Sequence, residues 1–276
     1  MAGRTTETIH LRYGRGGALD LSVDEGRVRG VYLGPSAVED LTDRLRSALD
    51  APLDFPPLEQ AVIPDDRVVL VLDRDVPEAA AIVAAIWRRL SDRGVDPGRV
   101  TILQPADPAA GTPADPREAL PPGVREKIEW HVHEATPEEE GGFHYLATTA
   151  AGERVYLSGT LLDADVVVSV GRIGFDPLLG YRGTNSVFYP GLSTAEAVKR
   201  AQGQGHTELG PDDERPLRQM VDEVGWLLGT PFTVQAVPAA GGGASDVLAG
   251  SIDSVFRKGR ELLADRWTVR LPERVE

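Results

Sequence analysis

Three short polar segments follow apolar runs that have the composition of buried strands, and each carries groups able to bind or catalyse. They are Asp73-Arg74-Asp75, Pro105-Ala106-Asp107 and Gly171-Arg172-Ile173. In an open α/β sheet, ligands bind beyond the carboxyl ends of the strands, so the three tips are predicted to form one site. The alternative is structural, with Asp73 and Asp107 capping turns or helices and Arg74 in a surface ion pair.

A glycine-punctuated segment, residues 174–191, runs directly on from the third tip and ends where a helix is predicted to start. Exposed backbone amides beside a helix N-terminus can receive a phosphate. The segment has neither the Walker A sequence nor the GxGxxG dinucleotide fingerprint. A tight structural loop explains its glycines equally well.

The histidines offer limited metal or catalytic chemistry. His131 and His133 have the spacing that places two imidazoles on one face of a strand, which is the beginning of a metal site, but no further ligand is nearby in sequence. His10, His144 and His206 are isolated. The chain contains no cysteine, so disulfides, thiolate zinc sites and iron–sulfur clusters are excluded. Neither a Ser/His/Asp arrangement nor a GxSxG elbow is present.

The elements that must position these groups alternate between strands and helices. Strands are predicted at 67–73, 99–104, 164–170 and 232–237, and helices at 37–49, 77–93, 217–228 and 252–264. A capping box of Ser36 and Glu39 is expected at the first helix. Near-continuous apolar strands between amphipathic helices predict an α/β fold, Rossmann-like, with a mainly parallel sheet and helices on both faces.

Around this core, two regions are less regular. Residues 1–33 read as a small β appendage to an α/β core of residues 34–276, and the proline-rich stretch 105–123 reads as a long connection after the second core strand. We expect one domain in all.

Composition narrows the partners and the compartment. The 276 residues carry a formal net charge of -14, which argues against a nucleic-acid or anionic-membrane surface. No apolar stretch is long enough for a membrane helix, and the first residues lack a signal-peptide core. A cytoplasmic protein is expected, with a small-molecule or nucleotide ligand.

The ordered set of segments resembles the N-terminal domain of nickel-dependent lactate racemase and its relatives over almost the whole chain. The matching segments are residues 11–14, 48–52, 57–58, 68–77, 94–95, 100–103, 161–171, 180–191 and 215–217. In that family a nickel-pincer nucleotide lies between two domains, takes up substrate hydride on its pyridinium carbon, and works with histidines that exchange the hydroxyl proton. The resemblance implies the same α/β fold here.

The family's functional residues carry over only in part. Arg74 falls where the family has the arginine of its first strand tip, a plausible phosphate or carboxylate anchor. Asp107 and Asp176 stand where histidines are expected, and Ser186 stands where a lysine links covalently to the cofactor. His206 corresponds to the nickel-ligating histidine, although an ungapped count reaches Gln202. The resemblance therefore assigns cofactor contacts to Asp73, Arg74, Gly180, Arg182, Gly183, Thr184, Asn185 and Ser186.

These departures predict a family member without the covalent cofactor and without the family's second domain, acting in binding, in regulation or as a subunit. The alternative is an active racemase, epimerase or oxidoreductase on a hydroxylated substrate other than lactate, with Asp107 and Asp176 as the acid/base pair. An unrelated nucleotide-binding α/β protein is the third hypothesis.

A cleft that lacks its second wall should expose an apolar rim and favour a homo-oligomer or a separate partner chain. The rim residues would be Phe175, Leu178, Leu179, Tyr181, Phe188 and Tyr189. The opposite expectation is that these side chains fold inward as core.

Overall fold

A computed structural model describes residues 6–13, 17–28, 30–106, 113–136, 142–202, 210, 212–213 and 215–270. The strands are β1 (Thr6–Tyr13), β2 (Gly17–Asp24), β3 (Val68–Leu72), β4 (Val100–Pro105), β5 (Glu129–His133), β6 (Phe143–Thr148), β7 (Arg154–Ser158), β8 (Val166–Arg172), β9 (Gly174–Asp176), β10 (Gly180–Arg182), β11 (Phe232–Pro238) and β12 (Ala244–Gly250). The α-helices are α1 (Leu41–Asp50), α2 (Ala79–Asp92), α3 (Pro122–Arg125), α4 (Gly159–Leu162), α5 (Ala195–Gln202), α6 (Pro216–Leu228) and α7 (Ile252–Trp267). Short 3-10 turns lie at Leu58–Gln60, Pro97–Arg99 and Thr184–Val187.

Six strands form the central sheet in the order β12-β11-β8-β3-β4-β5. Only β12 is antiparallel to its neighbour, so the predicted mainly parallel α/β fold is confirmed. The register places Leu70 of β3 beside Ile102 of β4 and Val168 of β8. All four strands predicted from apolar runs belong to this sheet, and their carboxyl ends meet at one edge.

The sheet separates two layers of core, which is why its central strands are apolar throughout rather than alternating. Leu70 and Leu72 of β3 face a cluster that includes α1 and α2. Val69 and Val71 face the other way, toward a cluster built with α4, α5 and α6. Helices on both faces bury β3 completely, as expected for a parallel sheet.

Helix α1 begins later than predicted, and the Ser36–Glu39 capping box is wrong. The N-cap is Asp40, whose carboxylate accepts the amide N–H of Asp43 at 2.9 Å. The preceding residues remain extended because Val38 donates its amide N–H to Ala244 of β12, at 2.9 Å. Tertiary hydrogen bonding to the sheet thus takes the segment that local pattern assigned to helix.

The N-terminal β appendage is the hairpin β1–β2, which pairs Leu11 with Leu19. In the described ranges of the chain, no helix is long and apolar enough to cross a membrane. The long connection after β4 is described only from residue 113 onward, and Asp107 lies outside the described residues.

Candidate functional site

The carboxyl edge of the sheet carries a buried ion pair between the tip of β3 and the hairpin β9–β10. Asp73 is 3% exposed, and its Oδ2 accepts a hydrogen bond from Nη2 of Arg182 at 2.6 Å. The other carboxylate oxygen accepts the amide N–H of Arg74 at 2.8 Å. Arg74 is half-buried beside this pair. This ion pair joins the β9–β10 hairpin to the end of β3 and holds the hairpin over the strand tips.

Two arginines stand close together at this edge, and their environments differ. Burial lowers the pKa of Arg172, and the positive charge of Arg182 lowers it further, while the carboxylates of Asp73, Asp75 and Asp176 oppose both. Burial would also lower the pKa of Arg182, but Asp73 outweighs this effect and raises it. Arg182 therefore has a bound counterion, whereas Arg172 has carboxylates only at longer range.

Within the described part of the chain, Arg172 lacks a close partner. Among the described residues we find neither a hydrogen bond nor an ion pair to its guanidinium, and its Nε is buried without an acceptor. A half-buried cation in this state is unusual, because burying a charge without a paired group is unfavourable.

Asp176 lies at the end of β9, opposite Gly180 in the hairpin. Its Oδ1 accepts the amide N–H groups of Leu178 at 2.8 Å and Leu179 at 3.1 Å. This is an Asx turn that shapes the hairpin loop. Gly180 completes the loop with φ at +73°, where a side chain would be strained.

The loop from Gly183 to Ser186 is a packed 3-10 turn. Ser186 Oγ accepts the amide N–H of Gly183 at 2.9 Å. A side chain at Gly183 would meet Ile173 at 2.7 Å and Gln235 at 3.3 Å, so only glycine fits there. Thr184 and Asn185 are buried, and Asn185 donates from Nδ2 to Asp222 at 3.3 Å. The structural-loop interpretation of the glycines accounts for these contacts.

Three arginines that the sequence interpretation did not single out hold the hairpin from outside. Arg215, 1% exposed, donates to the carbonyl of Pro177 at 2.8 Å, and Arg218 donates to the carbonyl of Tyr181 at 3.2 Å. Arg260 of α7 stacks on the Tyr181 ring at 4.6 Å. These contacts span long stretches of chain, so no local sequence signal could have identified them.

A second feature missed from the sequence is a buried polar ladder between β8 and β11. Ser169 donates from its hydroxyl to Thr233 at 2.7 Å, and Gln235 donates from Nε2 to the same Thr233 oxygen at 2.7 Å. The side chain of Gln235 lies against Gly171. A Cβ at position 171 would come within 2.8 Å of Gln235 Oε1, so the close approach requires glycine. The ladder rules out bulky side chains where β8 meets the loop.

The structure thus brings Asp73, Arg182 and Asp176 to one edge, with the loop of Gly183 to Ser186 beside them. Asp107 and His206 lie outside the described residues. His133 is 1% exposed, and its Nε2 lies 3.2 Å from the Ser193 carbonyl. Within the part of the chain that the structure describes, no group of three His, Asp or Glu side chains could hold a metal ion.

The expectation of an exposed aromatic rim is wrong for its two central members. Phe188 is 0% exposed and Tyr189 3% exposed, and both belong to the core under α5 and α6. Leu178 and Leu179 pack against the same core, and Phe175, at 53%, is the one exposed member of the six. The loop secures itself by burying its aromatic side chains, as the inward alternative predicted.

The central sheet has six strands, is mostly parallel and carries helices on both faces, and a polar hairpin folds over its carboxyl edge. These features define an α/β protein with its candidate site at the strand tips. The family model of the lactate racemase N-terminal domain matches residues 13–206, and the chain belongs to this family. Comparison with curated proteins finds no match.

Two solved structures share the fold at low sequence identity. One is the lactate racemase apoprotein from Thermoanaerobacterium thermosaccharolyticum, with a TM-score of 0.75 and 17% identity, covering 95% of this chain and 63% of that one. The other is a protein from Thermotoga maritima, with a TM-score of 0.61 and 15% identity, covering 85% of this chain and 61% of that one. The chain therefore spans less than two thirds of the length of either structure.

Proposed function

We propose that this chain binds a small anionic molecule, carrying a carboxylate or a phosphate, noncovalently at the carboxyl edge of its sheet. In this role it acts in binding, in regulation or as a subunit. The observation that carries the proposal is Arg172, a half-buried guanidinium with no close counterion among the described residues. An anion there would supply the missing partner, and arginine binds both anion types through paired N–H donors.

The neighbouring groups support Arg172 as the recognition residue. Arg182 is committed to Asp73, and one oxygen of Asp176 is committed to two backbone amides. Because these carboxylates are engaged in other contacts, neither forms a hydrogen bond with Arg172. The carboxylates still weaken anion binding at long range, which favours a ligand that also carries hydroxyl or amine donors.

The covalent nickel-pincer nucleotide of the family does not fit this loop. The link requires a lysine amine, and position 186 holds a serine whose hydroxyl accepts the Gly183 amide. No lysine occurs between Lys127 and Lys199, and Lys258 on α7 pairs with Glu261 at 3.3 Å.

The geometry of Asp176 favours binding over racemisation. Two backbone amides donate to Oδ1 and fix the orientation of this carboxylate in the turn. Asp176 suits a turn anchor better than one half of an acid/base pair.

Titration with defined anions tests the proposal. Inorganic phosphate, AMP and lactate would each be added to the full chain and followed by isothermal titration calorimetry and thermal melting. At least one should bind saturably, and Arg172→Gln should weaken it about tenfold or more, as expected for one charge-assisted contact. Comparison of the three separates phosphate from carboxylate recognition.

The matched control is Arg88→Gln, which removes the same charge from an exposed position on α2. Binding should be unchanged in this variant. Equal losses in both variants would mean a general charge effect, and binding that survives Arg172→Gln would place the ligand elsewhere. Either result overturns the proposed role of Arg172.

A further inference from the structure

Two carboxylates near Arg172 have oxygens that accept no hydrogen bond within the described ranges. Asp75 follows the tip of β3, is exposed, and forms neither a hydrogen bond nor an ion pair with any described residue. Asp176 uses Oδ1 for its turn and leaves Oδ2 without a donor. The charges of both carboxylates oppose the lowering of the Arg172 pKa by burial. They therefore interact with Arg172 electrostatically without pairing with it.

The guanidinium of Arg172 and the carboxylate of Asp176 lie on the same face of the β9–β10 hairpin. A Cβ at Gly174 would lie 3.7 Å from Arg172 Nη1 and 3.5 Å from Arg182 Cγ, so both arginines lie over the open side of this glycine. Gly174 begins β9 and Asp176 ends it. Positions two apart along a strand face the same side. This face thus presents a free cation and a free carboxylate oxygen to one ligand.

A buried acceptor lies at the base of the same edge. Gln235 is 0% exposed, its Nε2 donates to Thr233 at 2.7 Å, and its Oε1 has no donor among the described residues. That oxygen lies between Gly171 and Gly183, where an added Cβ would come within 2.8 Å and 3.3 Å of it. Gly171 directly precedes Arg172. A buried acceptor without a donor is unfavourable, so this edge has more acceptors than its own donors fill.

We infer that the ligand of this site is an α-amino acid, bound to Arg172 through its carboxylate and with its ammonium group directed toward Asp75 and Asp176. The inference rests on the proposed function, because it keeps the anion contact at Arg172. A simple anion would be attracted by one free cation and repelled by two carboxylates. An amino acid carries a positive charge beside its carboxylate and has no net charge, so the same carboxylates attract its second group.

An ammonium group suits the unfilled acceptors better than a hydroxyl group does. It offers three N–H donors and a positive charge, whereas a hydroxyl offers one donor and no charge. Hydrogen bonds between charged groups are also the stronger kind. A phosphate, with its higher negative charge, would be repelled more strongly by Asp75 and Asp176 than a carboxylate would. The edge therefore selects a carboxylate with an amine on the neighbouring carbon.

Matched pairs of ligands isolate the contribution of the ammonium group. Glycine and glycolate, L-alanine and L-lactate, and L-phenylalanine and L-phenyllactate each differ only in an amine or a hydroxyl on the same carbon. In isothermal titration calorimetry on the full chain at neutral pH, at least one amino acid should bind about tenfold or more tightly than its hydroxy acid. Arg172→Gln should weaken that amino acid as well, because it removes the carboxylate contact.

Removing a carboxylate charge should reduce this preference. Asp75→Asn changes an exposed side chain, and Asp176→Asn keeps an oxygen for the two turn amides while removing the charge. Each should weaken the amino acid by about threefold to tenfold and leave the hydroxy acid unchanged or tighter. Loss of folding would weaken both ligands. The control Asp92→Asn, an exposed change at the end of α2, should alter neither affinity.

The outcomes separate this inference from the proposed function. A hydroxy acid that binds as tightly as its amino acid, and is lost in Arg172→Gln, would overturn the inference and leave the anion site in place. A preference for the amino acid that survives in full in both Asp75→Asn and Asp176→Asn would also overturn it. If neither these ligands nor phosphate and AMP bind, the proposed function fails and the inference fails with it.

Discussion

Breaking the Asp73–Arg182 pair should destabilise the whole chain, because Asp73 would keep a buried charge without its counterion. Arg182→Gln removes the donor at 2.6 Å and leaves a carboxylate that is 3% exposed. Loss of one partner of a buried pair costs about 3–5 kcal/mol. Since Asp73 keeps the Arg74 amide and has Arg172 nearby, we expect the lower end, about 3 kcal/mol.

Urea unfolding followed by tryptophan fluorescence measures this loss, and the melting temperature should fall by roughly 2–4 °C for each kcal/mol. A double-mutant cycle with Asp73→Asn isolates the pair. The double variant should be more stable than the sum of the single losses predicts, by about 1.5–3 kcal/mol.

The matched control is an exposed ion pair on the same sheet, between Arg67 and Asp165 at 3.1 Å. Arg67→Gln should leave the unfolding midpoint nearly unchanged, since exposed pairs contribute little. If Arg182→Gln behaves like Arg67→Gln, or if the cycle gives additive losses, the buried pair does not hold the hairpin and the reasoning fails.

Three further outcomes are expected. Although burial opposes it, hydrogen bonds from Arg117 and Arg125 lower the pKa of Asp115 to about 2. The stability that this carboxylate contributes is therefore complete above pH 4 and is lost as the pH falls toward 2. In an acid titration, Asp115→Asn should lose less unfolding free energy over that range than the wild type does. Gly225→Ala should destabilise by about 1–3 kcal/mol instead of strengthening helix α6, because the new Cβ would lie 2.2 Å from Asn185 Cγ, while Gly123→Ala, with open space around it, should change stability by less than about 0.5 kcal/mol in the same melts. Arg215→Met should lower stability by about 2–4 kcal/mol and raise amide hydrogen exchange in the hairpin, since the carbonyl of Pro177 loses its donor; unchanged exchange there would contradict the anchoring role.

The sheet was predictable because parallel strands buried on both faces leave a local signal. The run from Val68 to Leu72 is aliphatic at every position, and Ile82, Ile86 and Leu90 mark the helix that covers it. Strand β12 was missed because Ser245 and Asp246 interrupt its apolar pattern and Gly250 ends it. An antiparallel edge strand lacks the continuous run that identifies its parallel neighbours.

The candidate site was predictable in position but not in its contacts. Strand ends placed Asp73 and Arg172 at one edge, since all parallel strands end there. The partner of Asp73 is Arg182, 109 residues further along the chain, and no local pattern specifies that pairing. The inward packing of Phe188 depends likewise on α5 and α6, which are distant in sequence.

We propose that the turn at Ser186 leaves no attachment point for the family's cofactor. Intact mass and nickel content of the chain, produced together with the enzymes that make the nickel-pincer nucleotide, test it most directly. A lactate racemase that carries the linking lysine, made in the same cells, serves as the positive control. We predict an unmodified chain of 29.7 kDa without stoichiometric nickel. A nucleotide adduct on this chain, with nickel in equal amount, would contradict the account.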